Sequence, residues 1–385
     1  MAEQQGLFTV RGLIPAWSTS AAAFGGFSLL LPVVPWAIAE AGGGDMLAGS
    51  VTAVFMFTTV FTQLAMPRLL RAFGHRATLV AGCLFLGPPS LLFLVSMAPA
   101  AVLGISALRG IGFGMITVAA AALVGELAPP RLLGRATGML GIAIAASQTI
   151  GLPAGLAIAE RFSTTPVFVL GAIISSAGLL AAIRLPRLTA KQSRTARRVP
   201  PVVLLFPLVA VGAGAIAYGG LTSLLRIAVA GLPVAAALAV LSAASLIGRY
   251  AAGSVADQIG AGKLLPVGLG LAGLAMIPFA LVADDRGGAI LLIVAAIAFG
   301  FGFGVVQNEA LLVAFSRAGA GNTGSASAAW NIGFDAGTGA GSFALGAVAA
   351  VAGYSAAFAA AAVLVPALPL LARLAGPSER PRPTT

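Results

Sequence analysis

Apolar runs long enough to cross a membrane recur along the whole chain, and no other feature restricts its fold as strongly. A transmembrane helix needs about 20 largely apolar residues. Of the 385 residues, 59% are hydrophobic and only 9% are charged, whereas a soluble domain carries about a quarter charged residues. The sequence therefore predicts an all-α, multi-pass membrane protein.

The runs predict twelve transmembrane helices in two pseudo-symmetric six-helix bundles, separated by one long polar stretch. We assign 1–185 to the first bundle, 186–200 to a cytoplasmic linker and 201–385 to the second bundle. The linker is basic and holds Arg187, Lys191, Arg194, Arg197 and Arg198. The predicted spans are 13–38, 46–66, 77–97, 100–124, 136–159, 165–185, 202–225, 232–253, 263–283, 288–314, 324–350 and 354–374.

Basic residues between the runs predict the orientation, because Lys and Arg concentrate in cytoplasmic loops. With the N-terminus inside, the basic clusters at 68–76 and 131–135 and the linker are cytoplasmic, while Glu40 and Glu160 lie outside. Both termini are then cytoplasmic. Arg226 and Arg249 lie near predicted helix ends and are interpreted as interfacial anchors. Arg outnumbers Lys, and Ala and Gly are abundant, which indicates a high-GC bacterial genome and predicts the inner membrane as location.

Several function classes do not fit this sequence. The net charge of +11 sits in short gaps between apolar runs, so we read it as a topology signal and predict no nucleic-acid partner. One cysteine, Cys83, and one histidine, His75, make a metal site or a Ser-His-Asp triad improbable. The segment Gly260 to Leu264 lacks the spacing of a phosphate-binding loop. We therefore predict no enzyme activity and no cofactor.

The two predicted bundles repeat each other. The segment from Pro67 to Gly74 matches the segment from Gly253 to Gly260, 186 positions later. Further matches are 190 positions apart, and they pair Gly110, Gly112, Gly114, Gly134 and Gly151 with Gly300, Gly302, Gly304, Gly324 and Gly341. Duplicated halves are typical of alternating-access transporters, whose substrate site lies near the membrane midplane.

Together with Leu31-Pro32-Val-Val-Pro35, the two repeated loops resemble signatures of the major facilitator superfamily over nearly the whole chain. The resemblance implies that the loops act in conformational gating through Gly253, Asp257 and Gly260 in the second copy. In the first copy Gly74 is present, but Arg71 stands where the family has Asp. The family's Asp braces the loop against a helix N-terminus of the opposite half, which an Arg would not do.

Two further motifs favour export. Arg109-Gly-Ile-Gly-Phe-Gly is similar to the fourth-helix motif of proton-coupled family members, with its glycines shifted by one place. Gly151-Leu-Pro153-Ala-Gly155 resembles the fifth-helix motif of antiporters, with one extra residue. We predict a role in conformational gating for Gly151, Pro153 and Gly155, as for the loop residues Arg71 and Gly74. The region from Gln307 to Phe358 resembles bacterial drug-efflux and sugar-efflux proteins. The resemblance also implies a monomer.

Three ionisable residues lie at predicted membrane depth, where each costs a few kcal/mol and needs a reason. Asp335 is predicted to take up and release protons, with structural pairing as the alternative. Glu309 fits a second proton site or an interfacial position equally well. Arg109 fits proton coupling or an anionic substrate, and the alternative is hydrogen bonding at a helix crossing.

Span eleven has two distinct faces. Asn331, Asp335, Thr338 and Ser342 form one polar stripe that we expect to face a water-filled cavity. Gly333, Gly337 and Gly341 form a second face suited to close helix packing. Aromatic and amide residues of other spans are further candidates for lining the cavity, although packing is their commoner role. The substrate-binding candidates are Phe24, Arg109, Gln148, Tyr218, Gln307, Trp330, Asn331 and Asp335.

The sequence thus predicts a proton-driven exporter of a small organic molecule (a drug, metabolite or sugar), with protons and membrane lipid as its other partners. A proton-linked importer or a facilitator is the first alternative. A non-transporting membrane sensor or scaffold is the alternative from another class, against which the polar stripe and the lack of a soluble domain argue.

Overall fold

A computed structural model of the chain describes residues 7–186, 200–319 and 322–375. The predicted linker and its five basic residues lie outside the described part, so the boundary between the bundles stays a prediction. In the part that is described, every regular element is a helix. The helices of the first half are α1 (Leu13–Leu30), α2 (Val33–Glu40), α3 (Gly44–Leu86), α4 (Pro99–Leu127), α5 (Leu133–Arg161) and α6 (Thr164–Ala182).

The second half also consists of helices. Its helices are α7 (Pro201–Ala228), α8 (Val234–Ile259), α9 (Leu265–Leu274), α10 (Met276–Ala283), α11 (Ala289–Ala318) and α12 (Thr323–Ala375). Short 3-10 segments occur at Leu7–Thr9, Pro88–Leu94 and Pro130–Leu132. Large apolar side chains such as Phe57, Phe61 and Val351 are exposed on the outside of the helices, which suits a lipid environment and not water.

Ten helical segments of the described residues are long and apolar enough to cross a membrane. Two of them, Gly44–Leu94 and Gly324–Leu374, are each 51 residues long, or about 76 Å at the rise of an α-helix. A hydrocarbon core of about 30 Å needs less than half of that length. Both segments are therefore long enough for two crossings, as the twelve predicted spans require, and the twelve-span count stays a prediction at these two places.

Glycines mark the turns inside both long segments. Gly74 has φ 73° and ψ 170°, and Gly353 has φ 84° and ψ 166°. This backbone region is essentially restricted to glycine. Gly260, the counterpart of Gly74 in the second half, adopts φ 97° and ψ 150°. The repeated loops therefore share a backbone conformation as well as a sequence.

Two predicted spans are interrupted in the structure. The span predicted at 13–38 consists of α1 and α2, which are separated at Leu31 and Pro32. Proline has no amide hydrogen to continue the hydrogen-bond ladder. The span predicted at 263–283 is divided into α9 and α10 at Ala275.

The internal repeat is present in the packing. A Cβ on Gly110 would overlap the backbone of Phe55, and a Cβ on Gly300 would overlap that of Leu241. Gly114 approaches the carbonyl oxygen of Thr59, and Gly304 that of Ser245, in the same way. Positions 55 and 241, and 59 and 245, are 186 apart. Helices α4 and α11 therefore lie against α3 and α8 through equivalent glycines.

Helix α12 packs closely on α7 through the predicted glycine face. Side chains at Gly333, Gly337 or Gly341 would collide with the carbonyl oxygens of Leu208, Gly212 and Ile216 respectively. The prediction of close packing along this face is confirmed. Its equivalent in the first half is the contact of α5 with α1, where Gly155 lies against the carbonyl oxygen of Leu29.

Candidate functional site

A cleft lies between α5 of the first half and helices of the second half. It holds about 420 Å³ of free space, including the part open to solvent. Gln148, Leu246 and Phe303 line it and lie near the middle of α5, α8 and α11. Transporters built from two repeats bind substrates at this depth. The polar side chains of the lining are Gln148, Thr149, Ser242, Ser245, Arg249 and Gln307.

Arg249 is the charged group of this cleft. Its Nη1 donates to Gln307 Oε1 at 3.3 Å, and Gln307 Nε2 donates to Ser245 Oγ at 3.3 Å. Trp330 Nε1 donates to the backbone oxygen of Gln307 at 3.1 Å. The Gln307 amide is thus held from several directions and orients the guanidinium. Arg249 was interpreted from the sequence as an interfacial anchor, but its side chain lines the cleft.

Aromatic rings form one wall of the cleft. Tyr218 stacks on Phe303 with ring centroids 5.3 Å apart, and Phe334 stacks on Phe303 at 5.9 Å. Trp330 stacks on Phe334 from behind at 5.6 Å. These rings give the cleft an apolar surface in addition to its polar residues. Among the sequence-predicted binding residues, the structure therefore brings together Gln148, Tyr218 and Gln307, with Trp330 behind them.

Asp335 lies at a contact between the two halves. Gln63 of α3 donates from Nε2 to Asp335 Oδ2 of α12 at 2.7 Å, and also to Thr117 Oγ1 of α4 at 3.2 Å. Asp335 is 6% exposed and Gln63 is 5% exposed. Within the described part of the chain, no basic group lies at salt-bridge distance from Asp335. The carboxyl group therefore depends on a neutral amide of the opposite half.

The polar stripe of span eleven faces this contact and not the cleft. Ser342 Oγ lies 3.0 Å from the Gly49 carbonyl oxygen of the first half, and Thr338 Oγ1 donates to Phe334 O of its own helix. Asn331 is exposed and donates to Ser327 O one turn earlier. The expectation of a water-filled cavity along the whole stripe does not hold, because Asp335 and Ser342 contact α3 and Thr338 is fully buried. Only the neighbouring Phe334 lines the cleft.

Further contacts close the bundle at its predicted outer end. This is the end at which the loops after Glu40, Arg161 and Val229 lie. Ser342 Oγ lies 2.8 Å from Ser223 Oγ of α7, which lies 3.0 Å from Thr52 Oγ1 of α3. Tyr354 of α12 donates to Asp45 of α3. Hydrogen bonds thus join the halves from the middle of the bundle to this end.

An ion pair lies at the same end. Arg226 Nε of α7 lies 2.9 Å from Glu160 Oε1 of α5, and its guanidinium lies 4.4 Å from the centroid of the Trp36 ring of α2. Arg226 therefore bridges the two halves, and an interfacial anchor describes only part of its role.

Arg109 lies in a second, smaller cavity of about 280 Å³ within the first half. It is 4% exposed, and its Nε donates to Leu86 O at 3.4 Å. Its guanidinium carbon lies 5.4 Å from the centroid of Phe55 and 5.7 Å from that of Phe93. Its Nη2 has no hydrogen-bond partner among the described residues. The hydrogen bond to Leu86 is compatible with the alternative role at a helix crossing, and the role of Arg109 in proton coupling stays a prediction. Arg109 does not line the larger cleft.

Phe24 belongs to the packing of the first half. Its ring lies 4.8 Å from Phe113, which also contacts Phe27 and Phe55. In the second half Phe303, 190 positions after Phe113, is the centre of the aromatic wall. Phe24 thus packs within the first half and does not line the larger cleft.

Glu309 is fully buried and accepts a hydrogen bond from the Leu264 backbone N–H at 3.2 Å. Leu264 lies in the loop between α8 and α9, so Glu309 fixes that loop. In the first half, Glu126 of α4 lies 3.5 Å from His75, which follows the equivalent loop glycine. Acidic groups of α4 and α11 thus contact corresponding loops. Among the described residues, no group of three or more His, Cys, Asp or Glu side chains is placed to hold a metal ion.

The predicted gating residues are distributed over the loops and α5. Arg71 is exposed. An added Cβ at Gly253 would make only ordinary van der Waals contact, with Asn308 Nδ2 at 3.6 Å. The side chain of Asp257 lies outside the described part, so its gating role stays a prediction. Gly151 and Gly155, on either side of Pro153, pack α5 against α1 within one half.

The sequence did not identify Gln63. It is an uncharged residue of an apolar run. The one sequence signal that could have identified it is its position 186 residues before Arg249, which makes the two residues counterparts in the repeat. Ser223 and Thr52 were missed for the same reason, since hydroxyl groups are common in membrane helices and usually bond to their own helix.

Comparisons with known proteins agree with this architecture. The family model of the Major Facilitator Superfamily matches residues 16–342. The fold is similar to the crystal structure of the peptide transporter POT in complex with sulfate, with TM-score 0.75, 16% identity and coverage of 96% of this chain and 95% of that one.

The fold is also similar to a bacterial homologue of the human lysosomal transporter Spinster in an inward-facing and occupied conformation. That likeness has TM-score 0.70 and 15% identity, and it covers 97% of this chain and 98% of the other. The search of curated proteins gives no match. Since the family model covers most of its length, the chain belongs to the Major Facilitator Superfamily and is a membrane transporter.

Proposed function

We propose that this transporter exports a small organic molecule in exchange for protons, in the inner membrane of a bacterium. The larger cleft holds the substrate, Asp335 carries the proton, and rocking of the two halves exposes the cleft to either side in turn. Both termini lie in the cytoplasm in this proposal. The protein works as a monomer in this proposal, which is supported by the formation of the cleft and the Asp335 contact within one chain.

The contact between Asp335 and Gln63 carries the proposal. A buried carboxylate without a cationic partner costs several kcal/mol, and protonation removes that cost. When the two helices separate and water enters, the ionised form is solvated again. Proton binding therefore favours one arrangement of the halves over the other, which is the differential affinity that coupling requires.

The contacts at the predicted outer end support alternating access. Ser342, Ser223 and Thr52, together with the pair of Arg226 and Glu160, would have to separate for the cleft to open to that side. In the proposed orientation, the described arrangement is the one that accepts substrate from the cytoplasm. The Spinster homologue was crystallised in an inward-facing conformation, and the likeness of fold is consistent with this assignment.

A proton-linked importer, or a facilitator that needs no gradient, is the alternative. The cleft itself favours neither direction, and export rests on the resemblance of the Arg109 and Gly151 motifs. A facilitator would retain its flux without Asp335. The non-transporting alternative is set aside, because the family to which the chain belongs is one of transporters.

The test uses inside-out membrane vesicles that contain the wild type, Asp335→Asn or Asp284→Asn. Asp284 is half-exposed and pairs locally with Arg286 in a loop, so its variant is a matched control. After a proton gradient is imposed, a mixed library of drugs and metabolites is offered and accumulation is read by mass spectrometry. Wild type and Asp284→Asn are expected to accumulate the same compounds, and Asp335→Asn to accumulate none.

Exchange without a gradient separates loss of coupling from loss of folding. In Asp335→Asn, labelled substrate is expected to exchange with unlabelled substrate across the membrane at a rate near that of wild type. Equal gradient-driven accumulation in Asp335→Asn and wild type would remove Asp335 from the mechanism. Accumulation in right-side-out vesicles instead would reverse the direction to import.

A further inference from the structure

The larger cleft combines a cation with an aromatic wall. Arg249 of α8 lines it together with Tyr218, Phe303 and Phe334, whose stacked rings form an apolar surface. Such a surface suits a flat apolar group, because aromatic rings pack by offset stacking.

Arg249 has no acidic partner in the described structure. The ion pairs found there join His75 with Glu126, Arg226 with Glu160 and Arg286 with Asp284, and none of them includes Arg249. Its hydrogen bond goes to Gln307 Oε1, a neutral acceptor. A guanidinium has five N–H donors, so most of them are left for another acceptor. A cation at membrane depth without a counter-charge is costly.

The groups around Arg249 fix the position of its guanidinium but do not neutralise its charge. Ser245 and Trp330 hold Gln307 through its amide and its backbone oxygen, and Gln307 in turn orients Arg249. A planar guanidinium that is oriented in this way presents paired donors, which match the two oxygens of a carboxylate. The arrangement resembles a prepared anion site more than a structural ion pair.

We propose that the cleft selects amphipathic organic carboxylates, with the acid group on Arg249 and the apolar part on the wall of Tyr218, Phe303 and Phe334. This inference rests on the proposed function for the cleft as a substrate site and adds the chemical class of the substrate. It reassigns the anion-binding role considered for Arg109, which lies in another cavity, to Arg249.

The test measures binding at equilibrium without any gradient, using the purified full chain in lipid nanodiscs and three labelled probes with one ring system. The probes are naphthoate, naphthamide and naphthylmethylamine, and binding to empty nanodiscs is subtracted. Wild type is expected to bind naphthoate about 10- to 100-fold more tightly than the other two, as one charge-assisted contact provides.

Four variants separate the contribution of the charge from that of folding. Arg249→Gln is expected to lower naphthoate affinity to the level of naphthamide and to leave naphthamide binding unchanged. Arg249→Lys keeps the charge and is expected to retain part of the preference. Arg286→Gln removes one exposed positive charge far from the cleft and is expected to behave as wild type. Tyr218→Ala is expected to weaken all three probes together.

Equal affinity of wild type for naphthoate and naphthamide would overturn the inference, and so would naphthoate binding that is unaffected by Arg249→Gln. Absence of naphthoate binding at millimolar concentration would overturn it as well. The outcome is independent of the vesicle experiment. If Asp335→Asn abolishes gradient-driven export but the cleft binds naphthoate and naphthamide equally, only the carboxylate inference fails. If the cleft prefers naphthoate but transport needs no protons, only the proton coupling of the proposed function fails.

Discussion

The two halves meet at two equivalent contacts whose chemistry differs. In the first, Gln63 of α3 donates to Thr117 of α4 and to Asp335 of α12. In the second, Arg249 of α8 donates to Gln307 of α11 and lines a cleft together with Ala145 of α5. Each residue of the second contact is separated from its counterpart in the first by 186 or 190 positions.

This difference suggests how one duplicated frame is used for two tasks. The first contact places an acid beside a neutral amide and encloses it, and the second places a cation beside a neutral amide and leaves it facing a cleft. Burial without a counter-charge makes each group responsive, the acid to protons and the cation to anions. We assign proton binding to the first contact and substrate binding to the second.

The largest expected effect comes from making the first contact resemble the second. Gln63→Arg would place a cation at Asp335, and an ion pair would hold the carboxylate in its charged form. Proton-driven accumulation in inside-out vesicles is then expected to fall more than about tenfold, because a proton no longer binds. Naphthoate binding at the second contact is expected to remain.

Thr137→Arg is the matched control for this change, since Thr137 is exposed near the start of α5. It is expected to transport as wild type. Proton-driven transport that survives Gln63→Arg would contradict the division of tasks. A loss that is reversed in the double variant Gln63→Arg with Asp335→Asn would likewise contradict it, because that variant has no titratable carboxyl group.

Most of the frame could be read from the sequence, because it depends on local and periodic features. Apolar runs predict the spans from their length. The face of Gly333, Gly337 and Gly341 predicts a close backbone contact that only small residues allow. Gly74 and Gly260 were recognisable as loop glycines, and both adopt dihedral angles that other residues avoid.

The site was only partly predictable, because its contacts join residues far apart in sequence. Asp335 was identified from its cost in a membrane, but its partner Gln63 is 272 positions away. The prediction that Arg249 is an interfacial anchor was wrong. Its closeness to a helix end does not show which helices its side chain faces. The polar stripe was assigned to a cavity because its periodicity shows one face of a helix but not what lies opposite.

A smaller effect, on stability, is expected at the equivalent glycines that pack α4 against α3 and α11 against α8. A Cβ in Gly304→Ala would overlap the carbonyl oxygen of Ser245, and in Gly114→Ala it would lie 2.7 Å from that of Thr59. Because backbone atoms must move in both, each variant is expected to lose about 1–3 kcal/mol, and Gly304→Ala more than Gly114→Ala. Cys83, the single and buried cysteine, allows unfolding to be followed with a thiol-reactive dye.

Gly253→Ala provides the control, because an added Cβ there would lie no closer than 3.6 Å to a side-chain atom. Its melting temperature is expected to equal or exceed that of wild type, since alanine favours helix by about 1 kcal/mol over glycine. If Gly304→Ala, Gly114→Ala and Gly253→Ala lower the melting temperature equally, close packing at Gly304 and Gly114 is not the cause of the loss. A smaller loss at Gly304 than at Gly114 would reverse the order that the distances predict.

The smallest effect is expected at Thr117, which supports Gln63 from the side. Thr117→Val keeps the shape of the side chain and removes the acceptor 3.2 Å from Gln63 Nε2. Gln63 Oε1 has no partner among the described residues, so the contact with Asp335 would then hold the amide alone. One hydrogen bond contributes about 0.5–1.5 kcal/mol, and proton-driven flux is expected to fall by a few fold while remaining coupled.

Thr137→Val is the control for this variant. It removes an exposed hydroxyl that is bonded within its own helix, and it is expected to leave proton-driven flux unchanged. Loss of coupling in Thr117→Val as complete as in Gln63→Arg would show that the first contact acts through the whole triad of Gln63, Thr117 and Asp335, and not through the carboxyl group and its one donor.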